Sequence, residues 1–291
     1  KLTLSGQGAL ESSYYMDYVK SIVIQEGITS IGDDVFVSYH DLQSVTLPNS
    51  LLSIGDSVFS YCSNLSSITI PDSVTSIGDN AFHDCNGLQS IILPKSLLSV
   101  GDSAFSYCNL SSIVIPDSVT SIGDNAFEGC DSLQNVTLSN RLHTIGNYAF
   151  SDCSSLLSIV IPDSVTTIGD YAFEGCTNLK DVALNDGLVT IGDGAFNWCG
   201  LTKLDIPKTV KKIGDNAFSG DFLSVVITQD NVEIGDDVFG PYTVVFCPST
   251  TKIKNQGIVR YTDKTPIQIK KAVQKADGWY DDEDTNLYYI V

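Results

Sequence analysis

The sequence predicts a repeat solenoid built on a parallel β-sheet, because one short motif recurs along most of the chain. The stretch IPDSVTSIGDNAF, residues 70–82, returns letter for letter at 115–127, and IPDSVTTIGDYAF follows at 161–173. The glycine of this motif occurs ten times at intervals of 21 to 23 residues, each followed four residues later by a phenylalanine. A unit of about 23 residues cannot bury its own apolar side, so successive units are expected to stack.

The spacing of the repeat varies at one place only, the connector between the phenylalanine and the next unit. From the motif phenylalanine to the first inward residue of the next strand is nine residues in most units. It is eight residues after Phe105 and Phe196 and seven after Phe218. Deletions confined to one connector leave the stacked positions unchanged, as a surface loop allows. The motif glycines are Gly32, Gly55, Gly78, Gly101, Gly123, Gly146, Gly169, Gly192, Gly214 and Gly235.

Each unit begins with a short strand, and the third unit shows its pattern. Ile68 and Ile70 alternate with Thr69, which is the two-residue period of a strand buried on one side. Pro71 ends the strand, because proline has no N–H to donate to a neighbour. Equivalent strands of successive units are expected to lie parallel, about 4.8 Å apart.

The rest of the unit is predicted to be irregular. Val74 and Ile77 point inward along a short side without regular structure. Gly78 is predicted to adopt a turn conformation that a side chain would obstruct. Asp79 stands where the cap of a short helical turn is expected, so its carboxylate would accept N–H bonds from that same turn.

Charge and composition divide the chain and exclude some partners. The net charge is −19, and residues 1–247 carry −20 while residues 248–291 carry +1. An acidic surface repels phosphate backbones, so nucleic acid is excluded as a partner, and no apolar run is long enough to span a membrane. We predict an N-terminal cap or leader at 1–18, ten repeats at 19–247, and a C-terminal cap or the start of a truncated module at 248–291.

The full motif, L-x-x-I-x-I-P-x-x-V-x-x-I-G-x-x-A-F-x-x-C, resembles the BspA-like, or treponemal-type, leucine-rich repeat family over residues 19–247. The resemblance implies a right-handed coil with a parallel β-sheet on its concave face and short helical or irregular segments on its convex face. It also implies a secreted or surface-attached protein, bacterial in most cases, that functions in adhesion and in binding host proteins. On this basis we expect an extracellular monomer whose signal peptide has been removed.

Seven cysteines occupy one position of the repeat, and an eighth, Cys247, stands apart. We predict buried free thiols rather than disulfides, because equivalent Cβ atoms on stacked units would lie about 4.8 Å apart with parallel side chains. A zinc site is disfavoured, since one ligand per unit cannot surround a metal ion. The seven are Cys62, Cys85, Cys108, Cys130, Cys153, Cys176 and Cys199.

The aspartates that follow the motif glycines form a second ladder. Capping of the helical turn is the preferred role, because like charges about 5 Å apart need hydrogen bonds to offset their repulsion. Calcium held between units is the alternative, although the motif lacks the dense D-x-D spacing of calcium loops. We therefore predict no metal and no other cofactor.

Catalysis finds no support in the motifs. The three histidines, His40, His83 and His143, fall at different repeat positions, and no G-x-S-x-G, phosphate loop or H-E-x-x-H occurs. The protein is predicted not to be an enzyme.

Binding is predicted on the exposed side of the strands, where a low-charge groove would take a protein or peptide ligand such as an extracellular-matrix or host surface protein. A structural spacer that presents another surface domain is the alternative, and simple strand propensity also explains an exposed β-branched stripe. The candidate residues are Thr69, Ile92, Val114, Thr137, Val160, Asp181, Lys203 and Asp205.

The last segment departs from the repeat. Residues 266–276 have the apolar spacing of a short amphipathic helix. Residues 278–291 show some similarity to the G-W…Y-Y repeats that bind cell walls, but only one copy is present.

Overall fold

A computed structural model describes residues 1–11, 18–220, 223–227, 229–230, 232–249 and 251–253, and the backbone of 258–261. These residues form a solenoid of ten coils with 24 short strands, and all strand pairs are parallel. The predicted fold class is therefore confirmed. We number the coils by their first strand, so that coil 1 begins at Ser21 and coil 10 at Ser224.

The first strand of each coil forms the front face. Ile68 pairs with Ile91 and Thr69 pairs with Ile92, so equivalent repeat positions lie side by side. The inward isoleucines are buried, and the residues between them face solvent, as the two-residue period predicts. The front strands are Leu2–Leu4, Ser21–Ile24, Ser44–Thr46, Ser67–Thr69, Ser90–Ile92, Ser112–Val114, Asn135–Thr137, Ser158–Val160, Asp181–Ala183, Lys203–Ile206, Ser224–Ile227, Val244–Cys247 and Ile258–Tyr261.

The side predicted to be irregular is a second parallel sheet, which we call the back sheet. Its strands are mostly two residues long, which is too short to show a period in the sequence, but they pair without interruption through eleven strands. That part of the prediction was wrong, because the regularity comes from stacking rather than from strand length. The back strands are Gly8–Leu10, Ile28–Ile31, Ser53–Ile54, Ser76–Ile77, Ser99–Val100, Ser121–Ile122, Thr144–Ile145, Thr167–Ile168, Thr190–Ile191, Lys212–Ile213 and Glu233–Ile234.

The third side, which we call the turn face, consists of the seven residues after each motif glycine. Helical segments were predicted here, but the described residues contain no helix. The backbone is left-handed at the second residue after glycine in all ten coils and at the sixth in coils 1 to 9, as at Asn80 (φ 54°) and Asp84 (φ 56°) of coil 3. A helix requires consecutive right-handed residues, so this alternation prevents one.

The turn face is held together between coils. The amide groups of Asn80, Phe82 and Asp84 donate to carbonyl groups of coil 4, at 2.8, 2.8 and 2.9 Å. Alternate amides therefore bond to the next coil, as in a sheet, although the backbone is not extended. These bonds between coils support the turns in addition to single-turn bonds within each coil, such as that from His83 N–H to the Asn80 carbonyl at 3.0 Å.

The core is a column of stacked phenylalanines between the three sides. Phe82 is fully buried, and its ring lies 5.3 Å from Phe59 on one side and 5.3 Å from Phe105 on the other. Ten such rings run from Phe36 to Phe239, one per coil. The repeat motif is thus mainly a description of this core.

Strands are also present outside residues 19–247. Leu2–Leu4 pairs with the front strand of coil 1 and Gly8–Leu10 with its back strand, so the leader covers the first coil. At the other end, Ile258–Tyr261 pairs with Val244–Cys247. The predicted helix at 266–276 and the segment 278–291 lie outside the described residues, and the division into three segments at residues 18 and 247 stays a prediction.

Candidate functional site

All eight residues predicted for binding lie on the front face with exposed side chains. Ile92, Val114 and Val160 are 66%, 63% and 67% exposed, values that are high for large apolar side chains. They come from coils 4, 5 and 7, with Thr137 of coil 6 between the last two. The eight residues therefore form one surface that runs along the solenoid.

The front face is interrupted where coils fail to pair. Hydrogen bonding divides its strands into sheets of five, two, two and four, with breaks after coils 4, 6 and 8. The first and third breaks fall where the connectors after Phe105 and Phe196 are one residue short. Connector length alone does not decide pairing, because the break after coil 6 follows a nine-residue connector and coils 9 and 10 pair across the seven-residue connector after Phe218. The back sheet is continuous through eleven strands.

The break after coil 8 opens a cleft of about 470 Å³ on the front face. Val182 and Leu184 are only partly buried there, whereas the equivalent Ile159 and Ile161 of coil 7 are 2% exposed. Apolar core surface is therefore accessible at this break. The cleft is lined by residues 158–160, 181–184 and 203–205.

Charge is concentrated at the same cleft. The ammonium group of Lys203 lies 3.2 Å from the Asp205 carboxylate, and both side chains are more than half exposed. An exposed ion pair of this kind contributes little to stability. Four of the predicted residues, Val160, Asp181, Lys203 and Asp205, meet at the cleft, so polar and apolar contacts are available to one ligand.

Sequence reasoning missed Val182 and Leu184, because both occupy inward positions of the repeat and were assigned to the core. The signal that could have identified them was the short connector after Phe196. The same kind of shortening after Phe218 leaves the neighbouring strands paired, so this signal is not decisive.

The cysteine ladder is part of the core, as predicted. All eight cysteines are free and buried, and Cys85 Sγ donates to the Phe59 carbonyl of the preceding coil at 3.0 Å. Burial raises the pKa of the Cys62 and Cys130 thiols to about 12. A thiol in this state is a poor nucleophile and a poor metal ligand.

The aspartate ladder acts between coils and does not cap a helical turn. Asp79 Oδ1 accepts the N–H of Asp102 at 2.8 Å, and Asp56 Oδ1 accepts that of Asp79 at the same distance. Asn147 stands in for aspartate in coil 6, and its Oδ1 accepts from Asp170 at 2.8 Å. The capping interpretation was wrong, because the amide groups in need of an acceptor belong to the next coil.

The part of the chain that the structure describes shows no arrangement suited to a metal ion. Within these residues, no three of the His, Cys, Asp and Glu side chains are grouped so that they could hold a metal ion. His83 Nδ1 is 2.6 Å from Ser106 Oγ, and the His83 ring meets Tyr61 and Tyr107 edge-on. It is therefore engaged in packing on the turn face. None of the described residues forms a helix that could cross a membrane.

One known protein family has the repeat from which this solenoid is built. A model of the BspA type leucine-rich repeat region matches residues 10–134, 98–224 and 143–264, with six copies of the repeat. The chain belongs to the BspA-type leucine-rich repeat family. Repeat proteins of this family are generally non-enzymatic and are associated with protein interaction. No curated protein matches the chain significantly.

Several solved structures of bacterial leucine-rich repeat proteins are similar to this BspA-type chain. A leucine-rich repeat protein from Bacteroides ovatus is 30% identical with a TM-score of 0.72, and the match covers 82% of this chain and 69% of that one. The pneumococcal vaccine antigen PcpA shares the fold at 19% identity and a TM-score of 0.55, covering 88% and 85%. A leucine-rich cell surface protein from Faecalibacterium prausnitzii is 23% identical with a TM-score of 0.45, covering 90% of each chain.

Proposed function

We propose that this BspA-type protein is a non-enzymatic, monomeric binding protein of the cell surface or extracellular space, adhesin-like, with its ligand site on the front face. The observation that carries the proposal is the exposure of Ile92, Val114 and Val160 on a sheet whose core opens at the cleft between coils 8 and 9. Contiguous exposed apolar surface costs solubility and is typical of binding sites.

The ligand we propose is a protein or peptide, for example an extracellular-matrix or host surface protein. Val160 and the partly buried Val182 supply an apolar centre, and Asp181, Lys203 and Asp205 surround it with charge. An apolar centre with a polar rim is the usual arrangement of a protein interface. The cleft is lined by residues of coils 7, 8 and 9, a length that suits an extended segment.

The test measures saturable binding of the full chain to a panel of purified extracellular-matrix proteins and mucosal glycoproteins. Val114→Asp with Val160→Asp should weaken binding about tenfold or more, because it places charge in an apolar contact. Leu98→Asp is the matched control, since Leu98 is 58% exposed but lies off the front face. Equal loss in both variants, or no saturable binding, would favour the spacer.

A further inference from the structure

The turn face carries large aromatic side chains at left-handed positions. Tyr107, Tyr148 and Trp198 have φ values of 58°, 53° and 55° and are 45%, 37% and 64% exposed. Asn, Asp, Ser or Gly occupy these positions in most other coils, as expected where φ is positive. Tyrosine and tryptophan are strained there and gain little burial in return, so the core does not explain their presence.

Each exposed ring rests on the following coil. A Cβ atom added to Gly220 would lie 3.0 Å from Cδ2 and 3.1 Å from Cε3 of Trp198, so the indole covers that glycine with one face. Tyr148 and Tyr171 stack on each other, with ring centroids 4.9 Å apart and planes at 12°. Support on one face fixes the orientation of these rings while the other surface of Trp198 stays exposed to solvent.

Carboxylates surround the rings. Asn197 Nδ2 donates to Glu174 Oε1 at 3.0 Å, which places Glu174 next to the residue that precedes Trp198. Partial desolvation raises the pKa of Tyr148, and the neighbouring Tyr171 and Glu174 raise it further. Tyr107 donates its hydroxyl hydrogen to Glu128 Oε1 at 3.0 Å.

The turn face has no positive charge of its own. The seven residues after the ten motif glycines include sixteen Asp and Glu residues and no Lys or Arg. A cation held at the rings would therefore meet complementary charge and no competing side chain. Electron-rich ring faces with carboxylates beside them favour guanidinium and ammonium groups.

We propose that the turn face of coils 4 to 8 binds an arginine- and lysine-rich segment of a protein partner, with the exposed rings of Tyr107, Tyr148 and Trp198 contacting its cations. Adjacent phenylalanines of these coils are 5.2 to 5.4 Å apart, so four steps from coil 4 to coil 8 span about 20 Å. An extended peptide of about six residues covers that length. This surface is separate from the front face, and its occupancy does not depend on the function proposed there.

The probe is a nona-arginine peptide, titrated into the full chain at physiological ionic strength, where diffuse attraction is screened. The variant Tyr107→Asn, Tyr148→Asn and Trp198→Asn keeps the net charge, and asparagine suits the left-handed backbone. We expect its melting temperature to be equal or higher and its affinity for the peptide to fall about tenfold or more. The matched control, Val114→Asn with Val160→Asn on the front face, should bind as the unmodified chain does.

The remaining outcomes decide against the proposal. Unchanged affinity in the triple variant means that the peptide is attracted by net charge alone, and equal loss in the control means that the rings are not the site. Spermine binding as tightly as nona-arginine overturns the polypeptide as occupant. If the triple variant fails to fold, Trp198→Asn alone must lower the affinity several-fold, and an unchanged value overturns the proposal equally.

Discussion

The carboxylate of Asp79 accepts a 2.8 Å hydrogen bond from the backbone N–H of Asp102, one coil further along the chain. The carbonyl of Asp102 in turn accepts the N–H of Asn80, at 2.8 Å, so this peptide segment is bonded to the preceding coil in both directions. The same contact recurs from Asp33 in coil 1 to Asp236 in coil 10. The aspartate of the motif is therefore a structural acceptor between coils, which explains its repetition without a metal site.

Removing one acceptor from this ladder should destabilise the protein modestly. Asp79→Ala leaves the N–H of Asp102 without its partner, so we expect a loss of about 1 kcal/mol in the free energy of unfolding. Asp79→Asn should retain most of that stability, because Asn147 already performs the same role in coil 6. Urea unfolding of both variants checks the comparison, and an equal loss in the two would contradict the hydrogen-bonding role.

The motif glycine is explained by close approach rather than by a turn conformation. The backbone at Gly78 lies outside the left-handed region, and an added Cβ would lie 2.6 Å from the carbonyl carbon of Gly55. We expect Gly78→Ala to destabilise by about 2 kcal/mol or more, because backbone must move on both coils. Asparagine tolerates left-handed backbone but is larger, so Gly78→Asn should be at least as harmful.

Urea midpoints of the two glycine variants, measured beside the unmodified chain, test this explanation. If Gly78→Asn proved clearly more stable than Gly78→Ala, the conformational interpretation would be restored. Gly194→Ala and Gly194→Asn provide the comparison. Gly194 does have a positive φ, of 58°, so asparagine should be the better tolerated of the two residues there.

The parts of the fold that follow from one unit could be predicted, and the parts that depend on two neighbouring units could not. The inward positions of Ile68, Phe82 and Cys85 are visible in the period of the motif. The hydrogen bond of Asp79 was assigned to its own turn, because the acceptor and donor are 23 residues apart. The positions with left-handed backbone could not be recognised from the sequence, since Tyr and Trp occupy several of them.

The candidate site shows the same division. The outward direction of Val160 and Lys203 follows from strand alternation and was predicted. The exposure of Val182 depends on whether coil 9 pairs with coil 8. The alternation of residues within one strand carries no information about pairing between coils. Connector length alone does not supply that information, because coils 9 and 10 pair across the shortest connector.

The buried thiols should make stability fall in alkaline solution. The folded pKa of Cys62 and Cys130 is raised to about 12, whereas an unfolded thiol titrates near 9. The folded state therefore keeps protons that the unfolded state loses, so the stabilisation is complete below pH 9 and declines between pH 9 and 12. Each thiol should account for a loss of about 1.4 kcal/mol between pH 8 and pH 10.

Comparison with a variant isolates this effect from the titration of tyrosine and lysine. We expect the free energy of unfolding to fall between pH 8 and pH 10 in both proteins. In the double variant Cys62→Ala with Cys130→Ala this fall should be smaller by about 3 kcal/mol, although the variant is less stable to begin with. Urea unfolding at the two pH values gives both differences. The same alkaline loss in the variant and in the unmodified chain would show that these thiols do not titrate on unfolding.

At coil 8, the short connector after Phe196 should contribute to the break in the front face and to the cleft beside it. Insertion of one asparagine between Gly200 and Leu201 restores the nine-residue spacing that coil 7 has. The strand Lys203–Ile206 could then pair with Asp181–Ala183, which would bury Val182 and Leu184. Stability should rise by a few kcal/mol through this burial and pairing, and amide hydrogens of both strands should exchange more slowly.

Hydrogen exchange of the two strands is the direct measurement. The control is insertion of one asparagine after Thr177 in coil 7, because this lengthens a connector that already has nine residues. That control should loosen the front face. If the insertion at Gly200 also lowered ligand binding while raising stability, the open core at the cleft would be part of the binding surface. Unchanged exchange in both strands would mean that connector length does not cause the break.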